Sequence, residues 1–257
     1  MKQNNATLAT LWSDIYVVTV RNLSKYYRLP QLIVFTFVQP VMFVLLFAYV
    51  FGGAIQTGGN YVNYLLPGIL VQTVLFGAMN TGLGLADDLS KGLIDRFKSL
   101  PMARSAVLAG RTIADMIRNI FVLLLMVAVG YLIGFRIEHG FVNFSLALLL
   151  TLAFGFAFSW ISAAIGLAVK NVETAQSAGF IWIFPLVFAS SIFVPVASMK
   201  PAIRAFAEHN PISYVVDVVR ALSLGTPVGN ELWWSLLWVG GILLVFMPLA
   251  VERYRKL

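Results

Sequence analysis

Cysteine is absent from this chain, which excludes a disulfide framework and thiolate metal sites. Histidine occurs only at His139 and His209. No Gly-x-x-x-x-Gly-Lys-Ser/Thr string is present, so the chain has no P-loop in which to cradle nucleotide phosphates. Charged residues make up 11%, against about 25% in an average soluble domain. They are rarer still inside the apolar runs. A proton-coupled carrier needs titratable groups at depth. An intramembrane lipid-modifying enzyme or protease needs clustered acids, histidines or a nucleophile facing the interior. Neither pattern is present: both histidines fall outside the apolar runs, and Asp87-Asp88 is the sole adjacent carboxylate pair. The enzyme reading is therefore the distant alternative, and no metal site is expected.

Hydrophobic residues make up 60% of the 257. A soluble core of this size has no room for so much apolar surface, so lipid must serve as solvent. Six apolar runs stand out, at about Leu32–Phe51, Tyr64–Ala86, Ile113–Phe135, Val142–Val169, Ala178–Val194 and Leu232–Ala250. Each approaches the roughly 20 residues that cross a bilayer, the fifth being slightly short. About thirty mixed residues precede the first run, unlike a cleavable signal. Within them Leu8, Leu11, Trp12, Ile15, Val18 and Leu23 recur near helical spacing, with Asp14, Arg21, Lys25 and Arg28 between. This predicts an amphipathic helix lying on the membrane surface over residues 1–30. The expected organisation is one all-α integral membrane domain. Five spans cover residues 31–194, an outer segment covers 195–228, and a sixth span with its tail covers 229–257.

The net charge of +7 is distributed unevenly. Fourteen of the eighteen Lys and Arg lie in the leader, the loop between runs two and three, the loop after run four and the tail. Arg136, Lys200, Arg204 and Arg220 lie on the other side. Basic residues hold loops in the cytosol, so both termini are expected there. The same rule accounts for the charge without invoking nucleic acid.

Two loops carry further information. Asp87 to Arg118 mixes both signs of charge. Gly92 permits a break, Leu93, Phe97 and Leu100 share one helical face, and Asp95, Arg96 and Lys98 occupy the others. Pro101 stops that helix at or before the preceding residue. The residues alone leave two readings open, a short rigid helix for a cytosolic partner to push or a tether that enforces topology. On the other side, Ile203, Phe206 and Ala207 share a face. After the Asn210-Pro211 break so do Ile212, Val215, Val216, Val219 and Leu222. Two half-inserted helices fit this spacing better than an exposed loop. Asp217 and Arg220, three apart, can pair, as can Asp115 and Arg118 at the cytosolic edge of span three.

Polar residues within the runs include Gln39, Gln72, Asn80, Ser159, Ser162, Ser190 and Ser191. They suit a polar path or, more commonly, hydrogen bonds between helices. The aromatic stretch Phe154, Phe156, Phe158, Trp160 suits either a flat amphipathic substrate or the core. Gly130 and Gly134 form a Gly-x-x-x-Gly hint of close packing. Pro40, Pro67 and Pro185 are expected to kink their spans.

Several features together resemble the ABC-2 type transporter permeases, and most closely the daunorubicin-resistance-like drug-export branch. They are the leader helix, the six runs, Leu65-Leu66-Pro67-Gly68-Ile69, the loop from Gly92 through Asp95-Arg96-Phe97-Lys98 to Pro101, and the Asn210 to Arg220 stretch. The resemblance covers essentially the whole chain. It implies a permease that forms half of a transmembrane dimer, with itself or a related permease. Two copies of a cytosolic ATP-binding subunit would drive it and hold the ATP and Mg, leaving no cofactor in this chain. Gly92, Leu93, Asp95, Arg96, Phe97, Lys98 and Pro101 would form the coupling helix. Pro195, Asn210, Pro211, Tyr214, Asp217 and Arg220 would belong to an outer re-entrant gate. Gln72, Asn80, Phe154, Phe158 and Trp160 would border the substrate path. A bacterial cytoplasmic membrane and export of a hydrophobic or amphipathic compound are implied, with a lipid-linked glycan as the rival cargo. One departure is that the acidic residues, Asp87 and Asp88, stand further upstream of the loop glycine than is usual in the family.

Overall fold

The computed structural model of the chain describes residues 8–28, 30–55, 59–93, 104–169 and 171–256. Every regular element among the described residues is helical. The order is α1 (Leu8–Arg28), α2 (Pro30–Leu46) with a π-helical turn (Phe47–Phe51), α3 (Tyr61–Ser90), α4 (Arg104–Leu132), α5 (Gly140–Ala168), α6 (Val172–Phe188), α7 (Pro201–Glu208), α8 (Pro211–Leu224) and α9 (Glu231–Lys256). Among the described residues four helices are long and apolar enough to cross a membrane: α3, α4 over Ala106–Leu132, α5 and α9. The apolar helices Thr36–Phe51 and Val172–Phe188 are shorter. The six expected runs thus correspond to four full-length helices and two shorter ones.

Asparagine sets three of the helix starts. The side chains of Asn60, Asn171 and Asn210 accept from the backbone N–H groups of Val62, Thr174 and Ile212. Each satisfies a donor that has no partner within its helix, which matters most where water is scarce. Pro211 occupies the first turn of α8, where its missing N–H costs nothing. Gly225, at φ 81°, ends α8 in the left-handed conformation that glycine adopts freely. Arg253, Arg255 and Lys256 in the last turn of α9 complement the helix dipole. Pro40, Pro67, Pro185 and Pro248 all sit inside continuous helices.

α3 is the axis of the bundle. Every residue from Leu65 to Leu75 is buried, and α2, α4, α5, α6 and α8 all pack on it. α5 crosses it most closely. A methyl added at Gly166 would strike the backbone of Gly82, and one added at Gly82 would strike Ser162. Small residues allow this approach and gain dispersion contacts where no hydrophobic force favours association. The Gly-x-x-x-Gly reading of Gly130 and Gly134 does not hold as one packing face. Gly130 lies under Leu66, but Gly134, at φ 106°, lies beyond the end of α4.

α1 lies along α4. Val18 and Thr19 are buried, and Thr19 Oγ1 donates to Gly110 O at 3.1 Å. Trp12, Tyr16, Val17 and Val20 are exposed on its outer face. α4 begins at Arg104, nine residues before the expected start of span three, because Val107 and Leu108 are buried with Leu85, Trp160 and Tyr254. α8 buries Ile212, Val215, Val216, Val218 and Val219. α7 differs from expectation, since Ile203 and Phe206 are exposed and only Ala207 is buried. Its neighbours are α8 and the preceding 3-10 turn, Val196–Ser198.

Replacing Gly166 with alanine is expected to destabilise the protein by about 1–3 kcal/mol through overpacking against Gly82. Gly240→Ala, where a methyl meets nothing within 4 Å, is expected to be neutral or slightly stabilising. Thermal unfolding in detergent checks both.

Candidate functional site

Three polar assemblies fasten α3 to its neighbours at different heights. The first stands at its C-terminal end, where the basic residues gather. Asp88 is 4% exposed on the last turns of α3. Its Oδ2 accepts from Arg111 of α4 at 2.7 Å, and its Oδ1 from Arg21 of α1 at 3.5 Å. Gly84 keeps this route open, since a side chain there would meet the Arg111 guanidinium. One carboxylate therefore joins α1 to the two helices that flank residues 91–103. Asp87 points elsewhere and pairs with Lys91 at 2.8 Å. That hydrogen bond, followed by the attraction of the Asp87 charge, holds the exposed Lys91 ammonium above the usual lysine range.

Gly92 follows at φ 66°, exposed and with open space where a Cβ would be, and Leu93 is helical and half-buried. Asp95, Arg96, Phe97, Lys98 and Pro101 lie outside the described residues.

The second assembly is Asp115 with Arg118, paired at 2.9 Å. They do not sit at the edge of the bundle. Thr81 donates to Asp115 Oδ2 at 2.5 Å, and Arg118 donates to Gly77 O at 2.8 Å. Thr81 is seven residues before Asp88, so the pair lies roughly 10 Å deeper along α3. Both residues are buried. An ion pair so placed persists because each group also meets a second polar partner.

The third assembly is at the opposite end of α3. Arg220 of α8 donates Nη1 to Asp217 at 2.8 Å, Nη2 to Ser191 O at 2.9 Å and Nε to Tyr64 O at 3.1 Å. Its guanidinium lies 3.7 Å from the centre of the Tyr64 ring. Ser191 Oγ donates to Asp217 at 2.7 Å, and Tyr64 donates its hydroxyl to Ser191 O at 2.9 Å. Asn210 Nδ2 donates to the carbonyls of Leu186 and Ala189, which closes the end of α6. Tyr214 stacks on Trp234 of α9. Pro195 precedes the 3-10 turn that leads into α7. Asn210, Asp217 and Arg220 are thus joined through the turn after α6, and Pro195 and Tyr214 are not part of that network.

Gln72 and Asn80 border one cavity of about 250 Å³ between α2, α3 and α4. Phe154, Phe158 and Trp160 do not border it. They are buried, with Phe158 stacked on Trp182 and Trp160 edge-on to Phe156, and serve as core packing. Sequence reasoning missed the Arg21–Asp88–Arg111 junction. The available signal was the position of Asp88 three residues after Leu85, on the buried side of α3.

A bundle of apolar helices with its buried charged side chains in ion pairs defines a multi-pass helical membrane protein. Residues 13–224 match the model of the ABC-2 type transporter family, and the chain belongs to that family. It is 34% identical over 253 residues to the daunorubicin resistance ABC transporter permease protein DrrB1 of Streptomyces coeruleorubidus, covering 98% of this chain and 87% of that one. It is 25% identical over 241 residues to the probable doxorubicin resistance ABC transporter permease protein DrrC of Mycobacterium tuberculosis, covering 93% and 87%. A putative transport permease, ycf38, of Porphyra purpurea is 23% identical over 220 residues, covering 83% and 75%.

The basic-end junction has a measurable strength. Arg111→Ala removes the 2.7 Å ion pair from the buried Asp88, and is expected to cost about 3 kcal/mol. Arg21→Ala removes a 3.5 Å contact from a partly exposed arginine and is expected to cost less than about 1 kcal/mol. Asp88→Ala with Arg111→Ala should recover part of the Arg111→Ala loss, because no buried charge is then stranded. Denaturant unfolding in mixed micelles reads all three.

Proposed function

We propose that this chain is the transmembrane permease subunit of an ATP-driven exporter for a hydrophobic or amphipathic compound, a drug-like molecule or a lipid. Similarity to drug-resistance permeases over nearly the whole chain supports this most strongly. In this reading the chain crosses the cytoplasmic membrane six times with both termini in the cytosol, as the charge bias favours. It pairs with a second permease, and each carries one copy of a separate ATPase that binds ATP and Mg.

The stretch from Gly92 and Leu93 through Asp95, Arg96, Phe97 and Lys98 to Pro101 is the ATPase-docking helix. The Arg21–Asp88–Arg111 junction supports that role mechanically. A push between α3 and α4 moves the ends of both, together with α1, because one carboxylate holds the three. The Asp217–Arg220 assembly on the outer side is the gate that yields as α3 tilts.

Phe97→Asp is expected to reduce ATP-driven efflux at least tenfold while leaving membrane insertion and copy number unchanged. Efflux at the wild-type rate from a normally inserted variant would sink the docking assignment. Purification in mild detergent from the native host should bring down a P-loop ATPase at about one copy per permease.

The cysteine-free chain lends itself to topology mapping. In intact cells, cysteines substituted for Lys2 and Lys256 are expected to resist a membrane-impermeant maleimide, and one at Gly229 to react. The reverse pattern would overturn the orientation.

A further inference from the structure

α1 leaves one face uncovered among the described residues. It packs on α4 with Val18 and Thr19 buried, and it touches α2. On the opposite side Trp12 is 66% exposed, Tyr16 70% and Val17 58%, and Val20 is exposed one turn on from Tyr16. Beyond Val20 the character of the helix changes. Its three basic residues, Arg21, Lys25 and Arg28, all fall there, against one acid, Asp14, in the first half. Arg28 is exposed and Arg21 partly so, and a spacing of seven puts them on one side of the helix. The outer face is thus aromatic and apolar along its first turns and basic at its end.

Depth and charge together identify what covers it. A methyl at Gly110 would strike Val18 and the Ile15 carbonyl. Gly110 lies four residues past Ala106, where the membrane-crossing stretch of α4 begins. The middle of α1 therefore stands about 6 Å inside that stretch, within the roughly 5–10 Å to which interfacial helices sink their apolar faces. Tryptophan and tyrosine suit that level, because their rings are apolar and their polar tips stay wet. The surrounding charge is in surplus. Arg111 and Arg21 meet Asp88, and Lys91 meets Asp87, so three cations face two carboxylates, with Arg28 two turns beyond Arg21.

We propose that α1 docks on anionic phospholipid of the leaflet at this end of the bundle. Trp12, Tyr16, Val17 and Val20 enter the boundary between headgroups and acyl chains, and Arg28, flanked by Arg21, meets the lipid phosphates. The lipid then steadies the helix that Arg21 ties to Asp88, so leaflet charge reaches the ends of α3 and α4. This goes beyond the exporter reading and needs neither its ATPase nor its cargo.

The test uses the full chain in lipid nanodiscs, and the cysteine-free sequence lets one label report on the face. A nitroxide is attached to Ser13→Cys, an exposed position one turn before Val17 that spares the apolar side chains. Its collisions with oxygen, which dissolves in lipid, are compared with its collisions with an uncharged, water-soluble nickel chelate. In phosphatidylcholine carrying about 30% phosphatidylglycerol, oxygen is expected to dominate, and in pure phosphatidylcholine the oxygen-to-chelate ratio is expected to fall about threefold. Arg28→Gln is expected to bring the ratio in anionic discs down to the neutral-lipid value, and Arg28→Lys to keep it high. Arg255→Gln, exposed at the same end but on α9, is expected to change nothing. A label reached mainly by the chelate in both lipids puts the face in water, and one shielded from both reagents puts protein on it; either overturns the proposal. So does a ratio indifferent to phosphatidylglycerol, or a response that survives Arg28→Gln. Were Arg28 there only to complement the dipole of α1, Arg28→Gln would act equally in both lipids, which also overturns it.

Discussion

An ionisable side chain held away from water must bring its partner with it, and most of this architecture follows from that requirement. Asp88, Asp115 and Arg220 are each placed where solvation is poor, and each is satisfied by groups on another helix. The partners always include α3: its own carboxylate at one end, the Thr81 hydroxyl and the Gly77 carbonyl lower in the bundle, and the Tyr64 carbonyl at the other end. The helix that packs against most of the others is thus also pinned at three levels. Apolar contact alone would leave helices free to slide in lipid, because one greasy surface resembles another. The polar contacts set the register.

Close packing and polar pinning act on different faces of the same helix. Toward α5, α3 offers Gly82 and meets Gly166 and Ser162 almost backbone to backbone. Toward α4 it offers Gly77, whose missing side chain makes room for the Asn119 amide and the Arg118 guanidinium beside it, and Gly84, which makes room for the Arg111 guanidinium. The same residue type serves helix contact on one side and cation access on the other. This explains why a helix that must cross a membrane carries so many glycines.

Much of this was legible before any coordinates. The i, i+3 pairs Asp115–Arg118 and Asp217–Arg220 were readable because their partners are local. The all-helical membrane class was readable because composition leaves no other solvent for the surface. Family membership was readable from the Gly92–Pro101 and Asn210–Arg220 stretches. The depth of Asp115 was not readable. It depends on where α4 begins, and hydropathy starts that helix late because Arg104 to Thr112 mixes polar and apolar residues. Arg21 and Asp88, 67 positions apart, were not readable as neighbours, since nothing local reports a contact at that separation. The aromatic run Phe154–Trp160 was ambiguous because core and cargo surfaces draw on the same side chains.

The guanidinium of Arg220 binds through a rigid plane. Its three nitrogens point at three different segments, and those directions are fixed relative to one another by resonance within the group. A flexible ammonium can trade partners one at a time as its surroundings shift. A planar fork cannot: rotate α8 against α3 and the Tyr64 and Ser191 contacts go out of alignment together, while Asp217, on α8 itself, moves with the arginine. The end of the bundle held by Arg220 is therefore built to change in a single step rather than to loosen by degrees.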